Sequence, residues 1–169
     1  LTHCVGIEAP EKGVITEIVP RENYIIRKSV NLSKQTHILA ANIDVAFLVV
    51  TLNNPTTYPA FIDRFLVTAQ AYSIPAVLLL NKVDSYSPDQ LAEVKYMAHM
   101  YRDIGYECIG ISAQTGKNIE QVKARLEGKT AMVLGHSGAG KSTLINRLSP
   151  SLQLKTQPLS QQHAQGQHT

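Results

Sequence analysis

Residues 135–142 read Gly135-His136-Ser137-Gly138-Ala139-Gly140-Lys141-Ser142, a complete G-x-x-x-x-G-K-[ST] phosphate loop followed by Thr143. Asn81-Lys82-Val83-Asp84, which has the form of an N-K-x-D base-reading signature, comes before this loop. In ordinary guanine-nucleotide switches the phosphate loop opens the domain and N-K-x-D comes late. A chain that carries both in the opposite order can bring them to one nucleotide only if the domain is circularly permuted. No other feature of the sequence narrows the fold as far.

The hydrophobic pattern supplies a matching scaffold. Val45–Val50 and Ala76–Leu80 are continuous apolar runs, with weaker ones at Cys108–Ile111 and Ala131–Leu134. Short runs without alternation fit strands buried on both faces, as in a parallel sheet. Helical patterns separate them. Phe61, Phe65, Ala69 and Tyr72 fall on one helical face, and Leu91, Val94, Ala98 and Tyr101 on another. The second begins after Ser87-Pro88-Asp89-Gln90, which has the form of a capping box with proline in the first turn. Ile119, Val122 and Leu126 form a third face behind Asn118. Strand and helix therefore alternate, which predicts an α/β domain with a mostly parallel sheet flanked by helices.

Three divisions follow: a partial β segment over 1–37, a nucleotide-binding domain over 38–148, and a mobile segment over 149–169, where Pro, Gln, Ser and His dominate. In the first, Gly13–Val19 and Tyr24–Arg27 read as a hairpin interrupted by Pro20. It is too short to be stable alone, so a larger β domain is expected to have lost its start.

Each motif has a chemical reason. Glycines at 135, 138 and 140 let the backbone curl so that successive N–H groups face phosphate oxygens, with the positive end of the following helix adding to them. Lys141 is expected at the β and γ phosphates, and Ser142 is expected to give its hydroxyl to Mg²⁺. Asn81-Lys82-Val83-Asp84 directly follows a buried strand, at the sheet edge where open α/β folds bind ligands. The Asp84 carboxylate can accept from guanine N1–H and the N2 amine together, a pair that adenine lacks. Asn81 is expected to tie this loop to its neighbours, and the Lys82 stem to lie over the base. Ser112-Ala113, after the next strand, lets a backbone N–H approach guanine O6.

Composition bounds the rest. The chain has 169 residues, 44% of them hydrophobic and 17% charged, with a net charge of +3. That is ordinary globular composition for one principal domain, and no apolar stretch approaches the roughly 18 residues that would span a bilayer. A soluble, cytoplasmic monomer without membrane contact is expected. Cys4 and Cys108 are too far apart for a disulfide framework or a metal pair and are expected to be reduced thiols. From Gly128 onward there are basic residues (Lys129, Lys141, Arg147, Lys155) and no acid, which suits an anion.

At the three motifs the sequence resembles the circularly permuted GTPases, most closely the ribosome small-subunit GTPase family known as RsgA or YjeQ. Gly13-Val14-Ile15 through Pro20-Arg21 is similar to the end of that family's amino-terminal OB domain. Ala41-Asn42-Ile43-Asp44 also matches, and Gly166-Gln167-His168-Thr169 resembles the start of its G-x-H-T-T switch segment. The resemblance implies a GTPase that binds GTP or GDP with Mg²⁺, acts on the small ribosomal subunit and its rRNA late in maturation, and is stimulated by the ribosome. It implies His168 as the group orienting attacking water and Thr169 as a γ-phosphate or Mg²⁺ contact. The family's D-x-P-G motif and its zinc domain with Cys and His ligands are not in this sequence, so zinc is expected only in the longer family proteins and a truncated chain is expected here. Arg21, Arg27, Lys28 and Lys34 could line an RNA groove of an OB-like segment. Two other readings stay open at this stage: a P-loop ATPase or small-molecule kinase in which N-K-V-D is accidental, and a guanine-nucleotide-binding module without hydrolysis.

Overall fold

Alternation along the central strand decides how the domain is layered. β3 (Val45–Val50) is buried along its whole length. Phe47 and Val49 point to one face, and Leu48 and Val50 to the other. A strand with two apolar faces needs cover on both, and the helices divide accordingly. The computed structural model of the chain describes residues 16–28 and 36–154. Within them, β3 is followed by α1 (Pro59–Ala71), β4 (Ala76–Leu80), α2 (Pro88–Asp103), β5 (Glu107–Gly110), α3 (Ile119–Leu126), β6 (Ala131–Gly135), α4 (Lys141–Leu148) and a short 3₁₀ turn (Pro150–Leu152). Ile62 and Leu66 of α1 and Val94, Ala98 and Tyr101 of α2 cover Leu48, Val50, Leu78 and Leu80. Ile119 and Val122 of α3 and Leu144 of α4 cover Phe47, Val49, Leu79 and Ile109.

The four strands are parallel in the order β5-β4-β3-β6. The chain winds outward from β3 through β4 to β5, then returns to the far side of β3 as β6. Helices leaving β3 and β6 therefore diverge to opposite faces, and a crevice opens between the carboxyl ends of these two strands. Open α/β sheets bind their ligands at such a switch point. Gly135 ends β6 there, in register with Val49. A Cβ on Gly135 would stand 2.5 Å from the Val49 carbonyl oxygen, and its φ of +143° is a conformation side chains rarely adopt. Gly135→Ala is expected to cost about 3 kcal/mol, since a backbone carbonyl cannot step aside. Urea unfolding, compared at equal m-values, measures it.

Local signals set the element ends. Ser87 Oγ accepts from Gln90 N at 3.3 Å while Gln90 Oε1 accepts from Ser87 N at 3.0 Å, the reciprocal cap expected from the sequence. On α1 the buried face runs through Ile62, Leu66 and Ala69, one position on from the expected Phe61 and Phe65, which are half-buried. Phe61 and Phe65 pack at the edge of the same core, and the Phe61 ring also meets His136.

The expected hairpin is corrected. Residues 16–20 are exposed and outside any strand, and β1 (Tyr24–Lys28) pairs antiparallel with β2 (Thr36–Ala41) instead. The partial alternation before Pro20 was a weak signal. What fixes the actual pairing is Asn23, whose side chain donates to the Ile43 carbonyl at 2.9 Å and accepts from Ile43 N at 2.8 Å. Ile25 is thereby buried against Ile43, Ala46, Ala69 and Ile74. β2 runs through positions 37 and 38, across the boundary expected between the first two divisions. Among the described residues no helix is long and apolar enough to cross a membrane.

Candidate nucleotide site

All three loops singled out from the sequence emerge at the carboxyl edge of the sheet, and Asn81 joins them. The residue is 2% exposed. Nδ2 donates to the Ala139 carbonyl in the phosphate loop at 2.8 Å, and Oδ1 accepts from Ala113 N at 2.9 Å. The Asn81 backbone N–H donates to Val50 O at 2.8 Å, so the residue is fixed to the end of β3 as well. A primary amide has both a donor and an acceptor end, which is what bridging a carbonyl and an N–H requires. Gly140, with φ +99°, passes so close to Asn81 Nδ2 that a Cβ there would collide with it.

Asp84 is exposed and lines a cleft of about 190 Å³ together with Ala113, Gln114, Gly140 and Thr143. The carboxylate, the Ser-Ala loop and the start of α4 thus share one cleft. A wider depression lies between α3 and α4, beside Glu120, Leu126 and Leu148, and no residue of these loops lines it. Val83 is nearly buried and its N–H donates to Ile111 O at 3.2 Å, which holds the motif against the end of β5. Lys82 adopts φ +70° and its Nζ donates to the Asn54 carbonyl. Burial lowers the Lys82 pKa, with the Asp84 charge acting in the opposite direction.

Ser112 is fully buried inside a tight turn: its Oγ accepts from Thr115 N at 3.0 Å, its N–H donates to Lys117 O at 3.1 Å, and its carbonyl accepts from Gly116 N at 2.9 Å. In the phosphate loop, Lys141 Nζ donates to the carbonyls of Gly135 at 2.9 Å and His136 at 2.8 Å, so the ammonium lies within the curl of its own loop. Burial lowers its pKa. Gly138 and Gly140 both take positive φ, Ala139 is fully buried, and Ser137, Ser142 and Thr143 are partly exposed around the start of α4. Missing Cβ atoms, inward-curling backbone and an ammonium in the same loop fit a phosphate chain. One hydroxyl, that of Ser142, fits a Mg²⁺ that takes its other ligands from phosphate and water. The His136 ring lies on Phe61, with centroids 4.3 Å apart. His168 and Thr169 lie outside the described residues.

Two contributors carry no sequence signal. Tyr86, nearly buried, accepts from Leu52 N at 2.9 Å and donates to Asn81 O at 3.0 Å, linking the end of β3 to the Asn81–Asp84 loop. Burial raises its pKa. Arg147 of α4 donates to the carbonyls of Ala113 and Gln114. A tyrosine after a turn and an arginine on a helix surface are too common to mark in advance.

Comparison with known proteins agrees with this geometry. The family model described as RsgA GTPase matches residues 18–169. A small ribosomal subunit biogenesis GTPase RsgA from Christiangramia forsetii is 66% identical over 164 residues, 97% of this chain and 52% of that protein. One from Flavobacterium psychrophilum is 54% identical over 157 residues, 93% of this chain and 48% of its own. Among solved structures, YjeQ from Thermotoga maritima superposes with a TM-score of 0.72 at 37% identity, covering 86% of this chain and 48% of that one. YloQ, described as a circularly permuted GTPase, gives 0.67 at 29% identity over 86% of this chain and 47% of its own. The chain spans about half the length of the curated relatives it matches. With its inverted motif order and parallel sheet, it has the circularly permuted GTPase fold and belongs to the RsgA GTPase family.

Proposed function

We propose that the protein binds and hydrolyses GTP as a factor in late maturation of the small ribosomal subunit, with turnover stimulated by the ribosome. The observation that carries this reading is the pair of hydrogen bonds from the Asn81 side chain to Ala113 and Ala139, which holds the loop bearing Asp84 and the loop bearing Lys141 around one cleft. Asp84 accepts from guanine N1–H and N2, and the loop N–H groups with Lys141 take the β and γ phosphates. The N–H groups of Ser112 and Ala113 are already held by Lys117 O and Asn81 Oδ1, so within this turn it is the Gln114 N–H that meets O6. Ser142 holds Mg²⁺, which when bound offsets charge on those phosphates. His168 orients the attacking water and Thr169 meets the γ phosphate; both roles rest on likeness to the family's switch segment. Ribosomal RNA is the activating surface, a role supported by the basic amino-terminal residues, and the protein acts as a cytoplasmic monomer.

Competition between GTP and ATP for the cleft tests the base-reading core of this proposal. A preference for GTP of at least about 10³-fold is expected, because adenine would leave the Asp84 carboxylate desolvated without donors. Equal affinity would eliminate that role and favour a general P-loop ATPase.

A further inference from the structure

From these contacts we infer that Arg147 is a positioning residue that fixes the guanine-reading turn to the helix carrying the phosphate-binding residues. The inference rests on the guanine-nucleotide reading above and adds a residue to it. α4 starts at Lys141 and Ser142, and Arg147 sits six residues further on, roughly 9 Å along the helix axis. From there Nε donates to the Ala113 carbonyl at 3.3 Å and Nη2 donates to the Gln114 carbonyl. Ala113 is therefore held at both ends of its backbone: its N–H on Asn81 and its C=O on Arg147. A planar guanidinium offers several donors in fixed directions, so it can meet two successive carbonyls where a single ammonium would meet one well.

The turn is shaped to receive that group. Gly116 takes φ +90°, and a Cβ there would come within 3.4 Å of Arg147 Nη1. Gln114 is exposed, and behind it lies an open groove lined by Thr143, Asn146, Arg147 and Pro150 rather than a filled core. Apolar contacts fix Ala113 but cannot fix Gln114, so the donors of Arg147 set where that part of the turn stands. Arg147 is itself exposed, so its bonds add little to folding stability. Its effect is on the distance between the base-reading turn and the phosphate loop. A helix is stiff over this length, and a turn hung on it keeps register with the residues at its start.

The test compares Arg147→Met, which keeps most of the apolar stem and removes the donors, with Arg147→Lys, in the full chain. GDP, ADP and inorganic pyrophosphate affinities are measured by calorimetry, and amide hydrogen exchange is followed over 112–117. Arg147→Met is expected to weaken GDP about tenfold while changing pyrophosphate by less than about twofold, because only the base end loses its alignment. Exchange over 112–117 should accelerate, with the melting temperature falling by less than about 3 °C. Arg147→Lys should recover part of the GDP affinity. GDP affinity within twofold of the unsubstituted protein would overturn the inference, as would equal losses for GDP and pyrophosphate. If the unsubstituted protein did not prefer GDP over ADP, the base-reading role of Asp84 would fall. Exchange over 112–117 would then decide the positioning role alone: faster exchange in Arg147→Met supports it, and unchanged exchange refutes it.

Discussion

Asp84→Asn is expected to weaken GDP and GTP by about 10³-fold and to create a preference for xanthosine nucleotides. The carboxylate lines the cleft shared with Ala113, Gln114 and Gly140, and in the proposed role it accepts from two guanine donors at once. An amide in its place presents one acceptor and one donor, so guanine N2 or N1–H meets an N–H. Xanthine carries an oxygen where guanine has its amine and satisfies the new donor. Two charge-assisted bonds at roughly 1.5–3 kcal/mol each account for the magnitude. Because Asp84 is exposed and makes no fold-sustaining contact among the described residues, unfolding stability should stay within about 0.5 kcal/mol. Titration with GDP and xanthosine diphosphate checks the exchange. Loss of both, or of neither, would remove Asp84 from base reading.

How much of this was legible beforehand varied with the kind of signal. The strands were visible because a doubly covered sheet demands unbroken apolar runs, and Val45–Val50 and Ala76–Leu80 are such runs. The cap at Ser87 was visible because its chemistry is local. The curl of residues 135–142 was visible because glycines at fixed spacing permit it, and the place of Asn81-Lys82-Val83-Asp84 because it directly follows a buried strand. The pairing of Tyr24–Lys28 with Thr36–Ala41 was not, since it is fixed by Asn23 reaching Ile43, a contact without a pattern. Nor was it visible that Phe61 sits at the edge of the core and also meets His136, since only the tertiary position of that loop brings the two rings together. Arg147 and Tyr86 belong to the same class, residues that matter because the fold brings distant carbonyls to them. The likeness in motif order led to the right family, whereas the cross-links inside the site required coordinates.

Asn81 is where fold and site become the same problem, and its substitution separates them by pH. Asn81→Ala removes both side-chain bonds and leaves the Ala139 carbonyl and the Ala113 N–H buried without their partner. A cost of about 3 kcal/mol is expected, at the upper end for unsatisfied buried groups because two are exposed to the same loss. That cost should be flat between pH 5 and 8, because neither orphaned group titrates. Asn81→Asp has nearly the same shape but a different profile. Its carboxylate can still accept from Ala113 N, yet it turns a second oxygen and a buried negative charge toward the Ala139 carbonyl. Both effects disfavour ionisation, so the introduced carboxyl titrates higher in the folded protein than in the unfolded chain. Stability then rises as pH falls through the folded pKa, because the folded state takes up the proton more readily, and the neutral carboxyl can donate to Ala139 as the amide did. At pH 7.5 Asn81→Asp is therefore expected to be less stable than Asn81→Ala, and near pH 5 the order should reverse. Urea unfolding of both variants at the two pH values reads this directly. Parallel pH profiles would mean that the phosphate loop and the Ser-Ala turn do not depend on a donor at this position, and the cleft would have to be held together by other contacts.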